Sequence, residues 1–585
     1  MTPARYSLPL AIALLFALAL IGFGIRKQAY RAVAPPIYDP LGYMQKGKEV
    51  WSLVAQGDFA RILNAPPALR PPGCVPFCYP FGYQADFRSF LFWSTLSPII
   101  LWTISVFIAI GRWPQAPGEA ILPFSWSLGL LSLPMFYHFE LSGRNEVPFV
   151  GQWGLQDCLL ASTAALATSL MILSARKRRA FLSIVGWSSA AYCLFIKPAG
   201  FLVMCAVAAI WSLEMAISAL QNGLRAFSVW WLEVRKYLVI TFLAGIAVYG
   251  FAILLALLSE YLSQDNVRSA KTAVEVLLSI SIWADLFPTV TSYVRPVLGW
   301  WWFTVLGASV MVLLAAGIWN LVNKRFTPTL LRPWGALILI LASGYWWIFM
   351  AGFQARYYYP FILVCIIWLL PGVVQNLRIL SQGWRVFLAA PPLLTTCILI
   401  GLLWSSSPTP ILERYLGVNL ASGGFSEEVH LGRQLMHESE TANRSLQIYA
   451  TPSNRTGVVF SVDYLSSISS GKPPLLKFGF TNDWTRPPGV RLEEILRADY
   501  LFVEADDGLA SPARIETFEQ ELRAYNAWLR SLNEQQGVSW VRRSSLGVLS
   551  IRNAQQLRDA FRELVARYEW RDVFVQNNAE VLRKN

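Results

Sequence analysis

Ser174-Ala175-Arg176-Lys177-Arg178-Arg179-Ala180-Phe181 sets four consecutive cations between two long apolar runs, and that contrast decides the fold class. Four adjacent charges do not enter hydrocarbon. The run therefore reads as a short cytoplasmic connector, with one helix leaving the membrane before it and another entering after it. Apolar runs long enough to cross roughly 30 Å of hydrocarbon at about 1.5 Å per residue recur outward on both sides. They lie near 8–25, 89–110, 121–138, 154–174, 180–196, 199–219, 237–259, 297–322, 334–352, 357–373 and 387–404, and predict about eleven transmembrane helices.

Alternation outward from 176–179 places Arg112, Arg225, Arg235-Lys236, Lys324-Arg325-Arg332 and Arg378 with Arg385 on the same cytoplasmic side. The N-terminus is then cytoplasmic and the chain after 404 lies outside. Arg26-Lys27 and Arg31 are the exception, since this layout puts them outside. The first run has no small-residue cleavage site and passes through Ile21-Gly22-Phe23-Gly24-Ile25 straight into Arg26-Lys27, so it reads as a retained signal anchor. Composition agrees: of 585 residues 55% are hydrophobic, 14% aromatic and only 15% charged, as in a polytopic membrane protein. The net charge of +13 sits largely in the connectors, and no nucleic-acid-binding signature accompanies it.

Three segments fall outside in this layout: 26–88, 260–296 and 405–585. Residues 41–63 alternate Leu41, Met44, Val50, Trp51, Val54, Phe59, Ile62 and Leu63 with Lys46, Lys48, Glu49 and Asp58, which predicts one or two amphipathic helices on the membrane surface. Cys74 and Cys78, in Pro71-Pro72-Gly73-Cys74-Val75-Pro76-Phe77-Cys78, share that exported loop and are expected to form a short-range disulfide. A zinc site would need a second ligand pair, and the chain's histidines are His138, His430 and His437. The other five cysteines fall in predicted helices as core residues.

After residue 404 charges are spread throughout. Apolar runs at 445–450, 457–460, 500–504 and 547–551 predict strands, and 513–535 and 554–568 predict helices, giving a soluble α/β domain over 405–585. No glycine-rich phosphate fingerprint follows a strand, so nucleotide binding gets no support.

Chemistry is sparse. There is no Ser-x-x-Lys, no Gly-x-Ser-x-Gly and no histidine cluster. Ionisable groups near the predicted outer face are Asp39, Asp86, Glu140, Arg144, Glu146, Asp157, Lys197, Arg268, Lys271, Arg295 and Arg356. An ionised group at that depth costs a few kcal/mol unless it faces a wet cavity or a partner, so together they predict a polar cavity open to the outside. Asp39 stands out, about a dozen residues after the first apolar run, in Tyr38-Asp39-Pro40-Leu41-Gly42-Tyr43.

Four stretches then combine with the architecture: Tyr38-Asp39-Pro40, Gln156-Asp157-Cys158, Ile196-Lys197-Pro198-Ala199-Gly200, and Gln354-Ala355-Arg356-Tyr357-Tyr358-Tyr359-Pro360. A carboxylate soon after the first helix, a long first external loop with juxtamembrane helices, a second acid where a later helix re-enters the membrane, a Lys-Pro between helices and a late Arg-Tyr-Tyr-Tyr-Pro resemble the GT-C superfamily of membrane glycosyltransferases. The resemblance is greatest to the branch holding protein O-mannosyltransferases and the aminoarabinose transferase of lipid A, and it spans nearly the whole chain.

The resemblance implies an inverting transfer of sugar from a polyprenyl-phosphate donor to a lipid, glycan or protein acceptor, at the outer face of a bacterial inner (plasma) membrane. In that scheme Asp39, mostly ionised at neutral pH, takes the acceptor hydroxyl's proton. Arg356 binds the departing phosphate, with Lys197 second, while Arg268, Lys271 or Arg295 could close over the donor. Asp157 is the second carboxylate, with Glu140 and Glu146 as rivals, and Tyr43 and Tyr357 line the substrate. Each has a structural alternative: an Asx turn before Pro40 for Asp39, a favourable helix dipole for Asp157, and an interfacial anchor for Arg356. No organic cofactor is implied. A monophosphate donor does not require a divalent metal and no dense carboxylate cluster argues for one, although the sequence leaves that question open.

The rival functions are a lipid-linked glycan flippase or transporter, a polymerase or ligase using diphosphate-linked glycans, and a scaffold for the C-terminal domain. No convincing repeat supports the transporter, the candidate polar residues gather near one face rather than at the midplane, and eleven crossings are excessive for an anchor.

Overall fold

The structure is a computed structural model that describes residues 7–37, 39–67, 70–110, 117–139, 153–154, 156–177, 180–197, 199–222, 235, 280–323, 331–344, 358–377, 381–407, 409–418, 420, 425–450, 454–480, 495–504, 514–515, 518–567 and 569–570. The chain forms two compact units. One holds the apolar helices up to residue 422; the other joins Ala32–Leu41 to the residues from 423 onward.

In the first unit α1 (Ser7–Arg31) and α2 (Asp39–Gln56) are followed by a short α3 (Val75–Cys78), then α4 (Phe87–Ile110), α5 (Pro117–Gly129), α6 (Asp157–Lys177), α7 (Ala180–Ile196) and α8 (Gly200–Asn222). After these come α9 (Ile280–Val322), α10 (Leu331–Gly344), α11 (Tyr359–Leu377), α12 (Gln382–Trp404) and α13 (Pro410–Leu416). Among the described residues five helices are long and apolar enough to cross a membrane: Leu8–Arg31, Phe87–Ile110, Asp157–Ala175, Gly200–Ile217 and Gln382–Trp404. The expected span at 237–259 lies outside the described residues.

The helix α6 is the centre of this unit: 83% of its apolar window is buried, against 39% for α1 and α12. Its Ala161, Ala164, Ala165 and Ala167 are fully buried, and small side chains let α4, α7, α8 and α11 approach it closely. Hydroxyls that would be costly in apolar surroundings bond back to the same helix, Thr168 to the Ala164 carbonyl at 2.8 Å and Ser169 to that of Leu166 at 2.9 Å.

Two of the three out-of-pattern cations, Lys27 and Arg31, have a local use. At the end of α1, Lys27 donates to the Trp404 carbonyl, and Arg31 donates to the carbonyls of Ser405 at 3.2 Å and Ser406 at 3.1 Å. Gln28 adds a bond to the Leu403 carbonyl at 2.8 Å. The last carbonyls of a helix lack intrahelical partners and carry partial negative charge, so these side chains cap the C-terminus of α12.

Two expected boundaries differ. The span at 121–138 is helical only to Gly129 and continues as tight 3-10 turns at Leu130–Ser132 and Pro134–Phe136, because Leu133 is extended and Pro134 offers no amide proton to prolong a helix. The segment 260–296 is not a plain loop over its described part, since α9 begins at Ile280 and absorbs Pro288 and Pro296. It bends at Gly299, whose φ of 74° is left-handed and whose added Cβ would sit 3.2 Å from Pro134 Cγ, so glycine is required there.

The second unit is a three-layer α/β sandwich. Its helices are α14 (Ser426–Thr441), α15 (Asn454–Ser470), α16 (Phe518–Ser531) and α17 (Ala554–Arg567). Its main strands are β1 (Leu446–Ala450), β2 (Leu476–Phe480), β3 (Tyr500–Glu504), β5 (Val538–Arg542) and β6 (Leu546–Ile551), in the order β2-β1-β3-β6-β5. Beside them β4 (Arg514–Ile515) pairs with β7 (Glu569–Trp570). The contacts of β1 with β2 and β3 are parallel, and those of β6 with β3 and β5 antiparallel. Alternation along β1 sends Leu446, Ile448 and Ala450 against α14 and α15 and Tyr449 into the core under α16 and α17.

Residues 457–460, expected as a strand, lie inside α15. Val459 packs on the sheet while Val458 packs on Ile37 and Val429, and two neighbouring valines serve these two clusters from one helix. The strands β2 and β5 were not expected from the sequence.

Candidate active site

The hairpin of α6 and α7 turns at the basic run, so the start of α6 and the end of α7 share one end of the bundle. Asp157 is the first residue of α6, where the helix dipole favours an anion, and Lys197 follows the last turn of α7, where it favours a cation. Lys197 Nζ donates to Asp157 Oδ1 at 2.6 Å, with the two side chains only 6% and 2% exposed. Two candidates read separately in the sequence are thus one buried ion pair.

Around Asp157 lies a cavity of about 30 Å³, room for about one water. Ser94 and Thr95 of α4, Met135, Phe136, His138, Trp153, Gly154, Cys158 and Tyr359 complete its walls. Trp153 is held by Thr95 Oγ1 at 3.0 Å and packs on Phe139 with ring centres 4.6 Å apart. Cys158 Sγ donates to the Met135 carbonyl at 3.2 Å, tying α6 to the 134–136 turn. His138, beyond that turn, is buried and neither ring nitrogen has a hydrogen-bond partner.

The first-loop turn docks on the same end of the hairpin. Tyr192 of α7 donates to the Gly73 carbonyl at 2.7 Å, and Gly73 lies so near the Phe195 carbonyl that an added Cβ would be 2.4 Å from its oxygen. Cys78 Sγ donates to Gln156 Oε1 at 3.5 Å, one residue before Asp157. The expected disulfide is not formed here: Cys74 and Cys78 are neighbouring buried thiols one helical turn apart, with Cys78 turned to Gln156. Burial, reinforced by the Cys74 sulfur, pushes the Cys78 thiol well above its usual range.

Elsewhere, Asp39 opens α2, half-buried, on the Ala32–Leu41 segment of the C-terminal unit. Tyr43 is buried with the Arg70 guanidinium 5.3 Å from its ring centre. Arg295 is exposed on α9 and lies 4.6 Å over the Trp300 ring. Glu140, Glu146, Arg268, Lys271, Arg356 and Tyr357 lie outside the described residues. From the same Arg-Tyr-Tyr-Tyr-Pro stretch, Tyr358 donates to the Ile340 carbonyl at 2.7 Å and Tyr359 reaches the cavity.

Sequence reasoning passed over two features. Lys46 of α2 is fully buried, donating to the Ala65 carbonyl, and burial lowers its pKa with a partial offset from Cys74. His138 gave no signal beyond its rarity, because it sits at the end of an apolar run.

No family model matches the chain, and no curated protein matches it by sequence. Among solved structures, ArnT from Cupriavidus metallidurans in the apo state superposes with a TM-score of 0.50 at 13% identity, covering 93% of this chain and 99% of that one. The same ArnT bound to undecaprenyl phosphate gives 0.44, again at 13% identity, covering 93% and 98%. At that identity the similarity is one of architecture: the chain has the overall fold of ArnT from Cupriavidus metallidurans.

Proposed function

We propose that this protein is an inverting glycosyltransferase that moves a sugar from a polyprenyl-phosphate donor to a lipid, glycan or protein acceptor at the extracytoplasmic membrane face. The observation that carries the reading is the buried Asp157–Lys197 pair, whose Asp157 stands on the wall of a small cavity inside a bundle of the ArnT fold. A cavity on which a few polar side chains converge is the default candidate for a binding site.

In this scheme the acceptor oxygen attacks the anomeric carbon and its proton passes to the Asp39 carboxylate. The carbon–oxygen bond to phosphate breaks with its electron pair leaving on the polyprenyl phosphate, and configuration inverts. Arg356 stabilises that leaving charge, and Arg268, Lys271 and Arg295 close over the donor. Lys197 donates to Asp157 and fixes it in the wall, so its first duty is positioning. Residues 1–404, with about eleven crossings and outer segments at 26–88 and 260–296, form the catalytic module, and 405–585 is an external α/β domain. In an oxidising compartment Cys74 and Cys78 close a disulfide; thiol labelling of denatured protein with and without reductant tests this, and a Cys74 that labels without reductant overturns it.

The deciding experiment is transfer of radiolabelled sugar from synthetic polyprenyl-phosphate donors to crude envelope acceptors by the purified protein. Wild type should transfer, and Asp39→Asn, which keeps shape but removes the base, should lose about 10²–10⁴-fold. Normal transfer by Asp39→Asn removes Asp39 from the mechanism.

A further inference from the structure

His138 is a buried imidazole with two unpartnered nitrogens on the wall of the Asp157 cavity. Buried polar groups are almost always hydrogen-bonded, and an exception beside a cavity marks a missing partner. The two other histidines, His430 and His437, are exposed on α14.

The chemistry of the missing partner is constrained. A neutral imidazole offers one N–H donor and one acceptor nitrogen. A phosphate oxygen can only accept, and the neighbouring Asp157 carboxylate repels it. An apolar group would leave both nitrogens unpaired. A hydroxyl both donates and accepts, and one hydroxyl oxygen fits a space of about 30 Å³ that also holds about one water. Trp153 and Tyr359 also line this cavity.

Resting on the glycosyl-transfer reading, we propose that His138 and Asp157 frame a subsite for one hydroxyl of the donor sugar, making His138 a specificity-determining residue. The hydroxyl enters by replacing water. Its oxygen accepts from the imidazole N–H, and its proton is donated to the Asp157 carboxylate. The backbone turn at Pro134–Phe136, fastened to α6 by Cys158, fixes the ring's position.

The test uses full-length protein in detergent with a panel of polyprenyl-phosphate pyranosides, each lacking one ring hydroxyl, compared with the parent sugar. Wild type should discriminate by about 10²-fold in kcat/KM against one member of the panel, because that analogue leaves buried polar groups unpaired. His138→Ala should lose a similar factor on the parent and become indifferent to that deletion, and His138→Gln should recover part of the discrimination. A wild type that transfers from no donor overturns the glycosyl-transfer reading. A transferring wild type whose discrimination is unchanged in a folded His138→Ala overturns the subsite alone, leaving a resident water as the imidazole's partner. A second readout needs no turnover: in His430→Gln/His437→Gln protein, His138 is the one remaining ring, and its nitrogen NMR signals should shift on adding the parent donor and not the indicated deoxy analogue. Unshifted signals with a donor that is bound also overturn the subsite.

Discussion

Among the described residues of the helical unit two ion pairs have a buried carboxylate, and they differ in everything except charge. In one, Arg332 of α10 donates from Nε and, at 2.9 Å, from Nη2 to both oxygens of Glu214 of α8, while Trp368 of α11 donates to Glu214 Oε1 at 2.8 Å. That pair closes on itself and holds three helices. In the other, Lys197 reaches Asp157 through one oxygen, beside a cavity and an unpartnered imidazole. Burying charge is costly in both places. Where the polar groups are enclosed by protein donors the cost serves the fold; where room is left beside them, it keeps a polar surface ready for a ligand.

The largest effect should come from Lys197→Met. It strands Asp157 as a buried charge, costing about 3–5 kcal/mol of stability, and it should also abolish sugar transfer. Adding Asp157→Asn should return most of the stability, measured by thermal unfolding in detergent, without returning transfer; a double variant that transfers normally would make this pair as structural as the other. Arg332→Met should cost about the same 3–5 kcal/mol while transfer per folded molecule stays near wild type. A selective loss of kcat there would erase the distinction.

Trp368→Phe keeps most of the ring and removes one bond to a charged group, so about 1.5–3 kcal/mol of stability should be lost, with donor preference unmoved. The smallest effect belongs to the C-terminal unit, where Arg444 donates to both oxygens of Asp499 at 2.9 and 2.8 Å in an exposed setting. The Arg444 hydrogen bond holds the Asp499 carboxyl below its usual range. Because the folded pKa is depressed, this stabilisation is present above the unfolded value near 3.9 and is lost as pH falls through the folded value. The stability difference between wild type and Asp499→Asn should therefore shrink on acidification from pH 7 toward pH 3, and a difference that grows would reverse the sign.

Much of this contrast was half visible in the sequence. Asp157 and Lys197 each stand out as charges at the edges of apolar runs, but they are 40 positions apart and only the packing of α6 against α7 brings them together. Glu214 was legible as a lone acid within 199–219, yet its partners come from two later helices. Arg26, Lys27 and Arg31 looked like a breach of the charge rule, because that rule counts charges and ignores the bare carbonyls a folded neighbour presents. Val458-Val459 read as strand because β-branched pairs favour it, and tertiary packing on two different clusters overrode the preference. His138 could not have been placed at all: what gives it meaning is an empty volume, and a sequence encodes volumes only through the walls that surround them.

The cap that α1 places on α12 also concerns time. Its partners are 374 to 377 positions apart, so the first helix emerges long before the carbonyls it will serve exist. At about 5–20 residues per second of synthesis, that is a wait of roughly 20–75 s during which Lys27 and Arg31 lack the carbonyls that the end of α12 will present. The bundle closes by joining its oldest helix to one of its youngest, which makes arrival of α12 the step that releases the nascent protein from whatever has been sheltering its N-terminus.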